Sequence, residues 1–177
     1  MNRQFLMDQL LRLQEEDRKS VIIKPMKTKD VKVLKHMYKE FGKDTISKHQ
    51  FKTEDMTWEK RVKRWKKMES EGKFIIHVAW DRGIPIGWCI GNVKKPTNVG
   101  YIIELFLKRE YRGGELSEQL FKGVVDFLHK NGGKVIRLYV LGSNRRARSF
   151  YKKMGLIEEK VIYRDKASKG VIPKSPY

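Results

Sequence analysis

Apolar positions recur along this chain in two rhythms, one of about 3.6 residues and one of two, and their order outlines the fold. Residues 1–17 place Leu6, Leu10 and Leu13 at a 4–3 spacing with Met7 and Leu11 alongside, which predicts an amphipathic helix. A short apolar run over 20–25 predicts a first strand. Thr28 then reads as the cap of a helix with Asp30 in its first turn, a stripe of Val31, Leu34, Tyr38 and Phe41, and Gly42 as its stop. The polar stretch 43–54 predicts a mobile segment. A second helix is expected over 55–70, ending at Gly72, with Trp58, Val62 and Trp65 as its stripe and Lys60, Arg61, Lys63, Arg64, Lys66 and Lys67 on its other faces.

Strand patterns follow. Runs at 74–80 and 84–93 flank Asp81–Gly83, a hairpin signature, and a third strongly apolar run covers 98–107. A helix is expected from Gly114–Glu115 to Asn131, with Leu116, Leu120, Val124 and Phe127 on one face. A strand over 135–141, a short helix over 143–155 and a last strand over 156–163 complete the set. The crossover from 98 to 141 requires two parallel strands in a sheet that is otherwise a meander. The predicted fold is therefore α/β, a single domain of three layers with a mixed, mostly antiparallel sheet. Its expected bounds are 20–164, with a helical extension over 1–19 and a tail over 165–177.

Length agrees with one domain: 177 residues bury a sufficient core without staples. Cys89 is the lone cysteine, which suits a reducing cytoplasm and allows no intrachain disulfide or cysteine zinc cluster; no metal is expected. In its apolar strand Cys89 reads as core, and His77 as a hydrogen-bonded core or edge histidine rather than a base. No apolar run approaches the roughly 20 residues of a membrane span, and charges at Asp8, Arg12, Glu15 and Glu16 deny the first residues a signal-peptide core.

Charge adds a question. The chain carries 40 Lys+Arg against 21 Asp+Glu, a net +19 at pH 7. That field attracts polyanions, yet lysines outnumber arginines two to one and are spread from Lys19 to Lys174. Helix 55–70 reads either as a nucleic-acid or membrane-surface helix or as a core helix with solvated lysines; its narrow apolar stripe favours the second.

Chemistry concentrates in two stretches. In residues 104–120 a strand ends, a turn carries Arg112, Gly113 and Gly114, and a helix opens. Glycines there admit a ligand close to the backbone, and the unpaired N–H groups of the first helical turn suit a pyrophosphate. In residues 140–156 Asn144 follows a strand and Tyr151 lies seven residues later on the next helix.

Together these stretches resemble the GNAT superfamily of acetyl-CoA-dependent N-acetyltransferases. The first matches the family's phosphate-binding segment at Tyr111, Arg112, Gly113, Leu116 and Leu120; the second matches at Asn144, Ala147, Phe150, Tyr151 and Gly155. Glu115 stands where the family's second glycine usually lies and Ser117 where a Gly or Ala lies, with Glu115 expected to face solvent. The resemblance implies a GNAT-like α/β/α fold with splayed central strands. It implies acetyl-CoA held by Phe106, Leu107, Arg112, Gly113, Gly114, Glu115, Leu116, Ser117, Asn144 and Tyr151. A backbone N–H near Phe106 and Leu107 would stabilise the oxyanion during direct attack by a primary amine, without a covalent enzyme intermediate. Tyr151 is implied as the acid for the leaving thiolate, or else plain core. Glu104, an acid expected among apolar neighbours, is the candidate base or a structural carboxylate. Asn144 would bond the pantetheine arm or cap its helix. The other class of function is a GNAT-fold protein without chemistry that binds nucleic acid or regulates. A nucleic-acid or ribosome partner and a homodimer through residues 1–17 are further expectations; a membrane partner is not expected.

Overall fold

The computed structural model describes residues 21–45, 57–140 and 142–159, with Gln4 and Met7 in helical geometry. Five strands lie side by side in chain order: β1 (Val21–Met26), β2 (Phe74–Asp81), β3 (Ile84–Lys94), β4 (Val99–Leu107) and β5 (Val135–Arg137). The first three pairings are antiparallel and the β4–β5 pairing is parallel. Pro25 is tolerated because β1 is an edge strand and needs no second partner. A 3-10 segment (Thr28–Leu34) leads into α1 (Lys35–Thr45), which with α2 (Trp58–Ser70) covers one sheet face. Helices α3 (Leu116–Lys130) and α4 (Arg145–Lys153) cover the other. The three layers and the mixed sheet expected from the sequence are present.

Period-two alternation sorts the side chains into two cores. Ile76, Val78, Trp88 and Ile90 meet Leu34, Met37, Phe41 and Trp65 on the α1–α2 side. Ala79, Cys89 and Val93 meet Leu120, Phe121, Val124 and Leu128 on the other. Cys89 is fully buried and burial pushes its thiol pKa up, so it is the inert core residue expected. The β2–β3 hairpin turns on Arg82 (φ 48°) and Gly83 (φ 79°), the two-residue geometry whose twist matches the strands it joins.

Several local expectations fail for identifiable reasons. Thr28 does not cap a helix: its hydroxyl donates to the Glu69 carboxylate of α2, and the segment winds as a tighter 3-10 turn behind Lys27. Helix α1 passes through Gly42 to Thr45, so residues 43–45 are helical. Among the described residues of the run 135–141, only Val135–Arg137 joins the sheet, and Tyr101↔Arg137 is its last pair with β4. Residues 156–159 form no strand. The rest of that predicted strand, the tail, residues 46–54 of the polar segment and all but Gln4 and Met7 of the predicted first helix lie outside the described residues.

Helix α3 sits close on the sheet because glycines leave it room. A Cβ on Gly91 would stand 2.6 Å from Val124 Cγ1 and 3.1 Å from the Tyr101 carbonyl oxygen. His77 fills the matching hollow on the helix: a Cβ on Gly123 would stand 2.9 Å from its Nδ1. That Nδ1 is buried without a hydrogen-bond partner among the described residues, and burial lowers the imidazole pKa from its usual value.

Two outcomes follow. Gly91→Ala overpacks the α3 contact and costs about 1–3 kcal/mol, read as a lower urea midpoint at unchanged slope. Burial favours the neutral imidazole of His77 in the fold, whereas in the unfolded chain it titrates at about 6.5. The unfolded chain binds the extra proton in that window, so this part of the stability is complete above about pH 6.5 and is lost as pH falls. His77→Leu removes that part of the slope; an identical acid limb in the variant refutes the assignment.

Candidate active site

The site begins with one unpaired residue in β4. Ile90 faces Glu104 across the ladder, but Gly91 faces Ile102, so Ile103 has no partner and β4 carries a bulge. A bulge bends its strand and shifts which residues face which side. Ile102 faces the α3 core, whereas Phe106, of the same parity, lies in the α1–α2 core. Glu104 is thereby turned toward Trp88 and α2.

There it meets a positive charge. The Arg61 guanidinium of α2 forms a buried ion pair with Glu104, both side chains being almost wholly excluded from solvent. The second carboxylate oxygen accepts from the Trp88 indole N–H at 3.2 Å. Arg61 Nε donates to the Tyr38 hydroxyl at 3.1 Å, and its charge lies over the rings of Tyr38 and Phe41 at 4.9 and 5.5 Å. Burial pulls the Arg61 pKa down, opposed by Tyr38. Both expectations for these residues change: Arg61 is not on a solvated face, and the neighbours of Glu104 are not all apolar. A sequence signal existed, since Trp58, Arg61, Trp65 and Met68 form a cleaner 3–4–3 stripe than one through Val62. A helix stripe holding an arginine needs a buried acid opposite it.

Past the bulge, β4 and the chain after β5 separate and leave a cleft of about 160 Å³. Glu104, Phe106 and Leu107 line it from β4; Leu138, Tyr139 and Val140 line it from the unpaired side; Asn144, Arg146, Ala147 and Tyr151 close it from α4. Arg112 reaches the same cleft, its Nε donating to the Leu107 carbonyl at 2.6 Å and its guanidinium 5.7 Å from the Phe106 ring. Asn144 takes the capping role, its Oδ1 accepting from the Ala147 N–H at 3.1 Å. Tyr151 packs against Phe121 and Phe150 while reaching the cleft wall.

Gly113, Gly114, Glu115, Leu116 and Ser117 are not part of the cleft lining; the first three form the turn into α3 and the last two its first turn. Gly113 takes φ 87°, and added Cβ atoms on Gly113 and Gly114 would meet nothing within 4 Å, so the loop is open on its outer side. Glu115 is exposed as expected, and its charge is countered by Lys153 of α4, which also hydrogen-bonds Glu118. Tyr111 anchors the loop by donating to Asp81 at 2.6 Å, a bond that pushes its phenol pKa up to about 12. Arg112 and Arg146 line the cleft, and the first-turn amides of α3 follow the Gly113–Gly114 turn; both kinds of donor can bond phosphate oxygens. Among the described residues no cluster of His, Cys, Asp or Glu is arranged to hold a metal ion.

Breaking the buried pair is costly because it strands one charge. Arg61→Met is expected to lose about 3–5 kcal/mol by urea unfolding. Arg61→Met with Glu104→Gln recovers most of that loss, and additive single effects would show that the pair is not coupled.

Comparison with known proteins fits this geometry. The model of the acetyltransferase (GNAT) family matches residues 34–156. An uncharacterized N-acetyltransferase of Methanocaldococcus jannaschii is 28% identical over 112 residues, 59% of this chain and 48% of that protein. N-alpha-acetyltransferase 30 of Schizosaccharomyces pombe is 33% identical over 85 residues, 48% of this chain and 57% of that protein. The chain thus spans about half the length of these curated relatives. Among solved structures, the PaiA N-acetyltransferase of Thermoplasma acidophilum with coenzyme A superposes with a TM-score of 0.63 at 21% identity, covering 81% of this chain and 93% of that one. With more than half its length matched by the family model and the family's splayed strands and phosphate-loop turn in place, the chain belongs to the GNAT acetyltransferase family.

Proposed function

We propose that this protein is an acetyl-CoA-dependent N-acetyltransferase that modifies a primary amine of a small molecule or protein by direct attack in a ternary complex. The observation that carries the reading is the cleft between β4 and the chain after β5, with Glu104, Arg112 and Tyr151 on three of its sides. Acetyl-CoA, when bound, supplies the activated acetyl thioester. Arg112, Arg146 and the first-turn amides of α3 take its phosphates, and Phe106 and Leu107 offer backbone groups along the cleft. Glu104, on the cleft wall, receives the proton of the acceptor ammonium through water. Tyr151 returns a proton to the departing thiolate. The Schizosaccharomyces pombe relative is an N-alpha-acetyltransferase by name, which brings α-amines into the acceptor panel beside other small amines. The buried thiol of Cys89 suits a reducing cytoplasm.

Thermal shift tests cofactor binding first. Ligand at 100 times its dissociation constant stabilises by about 2.7 kcal/mol, roughly 5–10 °C at this size. No shift with acetyl-CoA or CoA overturns the reading, and a GNAT fold without its chemistry then stands in its place. Tyr151→Phe is expected to lower turnover in a thiol-release screen of amines by at least about tenfold while leaving the acetyl-CoA shift intact. Equal loss of both would make Tyr151 a packing residue.

A further inference from the structure

The helix that Arg61 anchors from its inner face presents a second feature on its outer one. Between the 3-10 segment, α1 and α2 lies a groove of about 480 Å³, lined by Lys32, Lys35, Lys63, Lys66, Trp58 and Val62, with Glu59 as its one carboxylate. It shares no residue with the cleft. Lys35 hydrogen-bonds Glu59 at 3.1 Å, so that acid is matched and the groove keeps three ammonium charges in excess. All four lysines are exposed, while Trp58 and Val62 are half-buried. Trp58 is held rigid, 5.4 Å from the Tyr38 ring and edge-on to Trp65 at 5.8 Å.

We propose that this groove binds single-stranded nucleic acid without sequence preference, its lysines holding successive phosphates and Trp58 taking one base. A ring of positive charge over an aromatic floor supplies the two interactions that single strands use, and a pre-set indole gives up little entropy on stacking. Lysines act as point charges along a backbone and lack the bidentate fork that reads base edges, which accounts for the absence of preference. A duplex offers no unstacked base to Trp58. An anionic membrane fits less well, because Trp65 and Met68 of α2 are buried inward and Trp58 and Val62 are half-buried within the groove, so among the described residues α2 projects no broad apolar face. The proposal stands apart from the acetyl-transfer reading, since neither set of residues enters the other.

Anisotropy of fluorescein-labelled U15 and dT15 tests it across a salt series. Lys63→Gln with Lys66→Gln removes two phosphate contacts, so the slope of log K against log salt falls by about 1.4 and affinity at low salt drops about tenfold. The same charge change at Lys130→Gln with Lys134→Gln, on the turn from α3 to β5, leaves both values near those of the parent. Trp58→Ala weakens binding about tenfold at unchanged slope and Trp58→Phe restores most of it. Should Trp58→Ala unfold, Trp58→Phe and the lysine pair decide the matter, being solvent-side or conservative changes. The acetyl-CoA thermal shift persists in the lysine variant. Equal losses from both lysine pairs would reduce the effect to diffuse charge and overturn the groove. So would duplex binding as tight as U15, equal competition by polyglutamate, or preferential binding to vesicles containing phosphatidylserine.

Discussion

The bulge at Ile103 is the constraint on which the site rests. One unpaired residue changes the phase of β4, sends Glu104 to the α1–α2 side and bends the strand away from the chain that follows β5. Cleft and carboxylate therefore have a common origin. Arg61 then couples the two layers, because a buried carboxylate must be matched, and the match comes from a helix that shares no strand with it. Tyr38 and Phe41 complete the shell, so α1, α2, β3 and β4 all meet at one charge pair. Arg61 thereby joins α2 to Glu104, the carboxylate on the cleft wall.

On the opposite face the fit is set by steric room. Gly91 and Gly123 let α3 approach the sheet, and that approach fixes where its first turn stands relative to the end of β4. Tyr111 bonded to Asp81 holds the intervening loop to the β2–β3 hairpin, and Arg112 folds back on the Leu107 carbonyl. Glu115 is accommodated by facing solvent with Lys153 nearby, so the unusual residue at the family's glycine position leaves the cleft open. The net charge divides in the same way. Arg112 and Arg146 line the cleft; Lys153, Lys122, Arg148 and Lys152 pair with Glu118 and Glu158; Lys63 and Lys66 of α2 line a separate groove with Lys32 and Lys35.

Strands β1 to β4, the hairpin at Arg82–Gly83, the parallel crossover, the helix over the α3 region and the two stretches around Arg112 and Tyr151 were legible in the sequence, whereas a strand over 156–159 was not formed. The legible elements depend on local periodicity or on turn chemistry, which neighbouring residues set. The sequence was misleading where a distant partner intervened. Thr28 abandons its cap for Glu69, a partner 41 residues away. Gly42 does not end α1, and a strand predicted to Leu141 leaves the sheet after Arg137. The phase of β4 past Ile103 and the burial of Arg61 against Glu104 arise only once the chain has folded. Alternation in a sequence counts residues by twos and has no sign for a bulge, and an arginine on a helix reads as solvated until the acid it faces is brought to it through the fold.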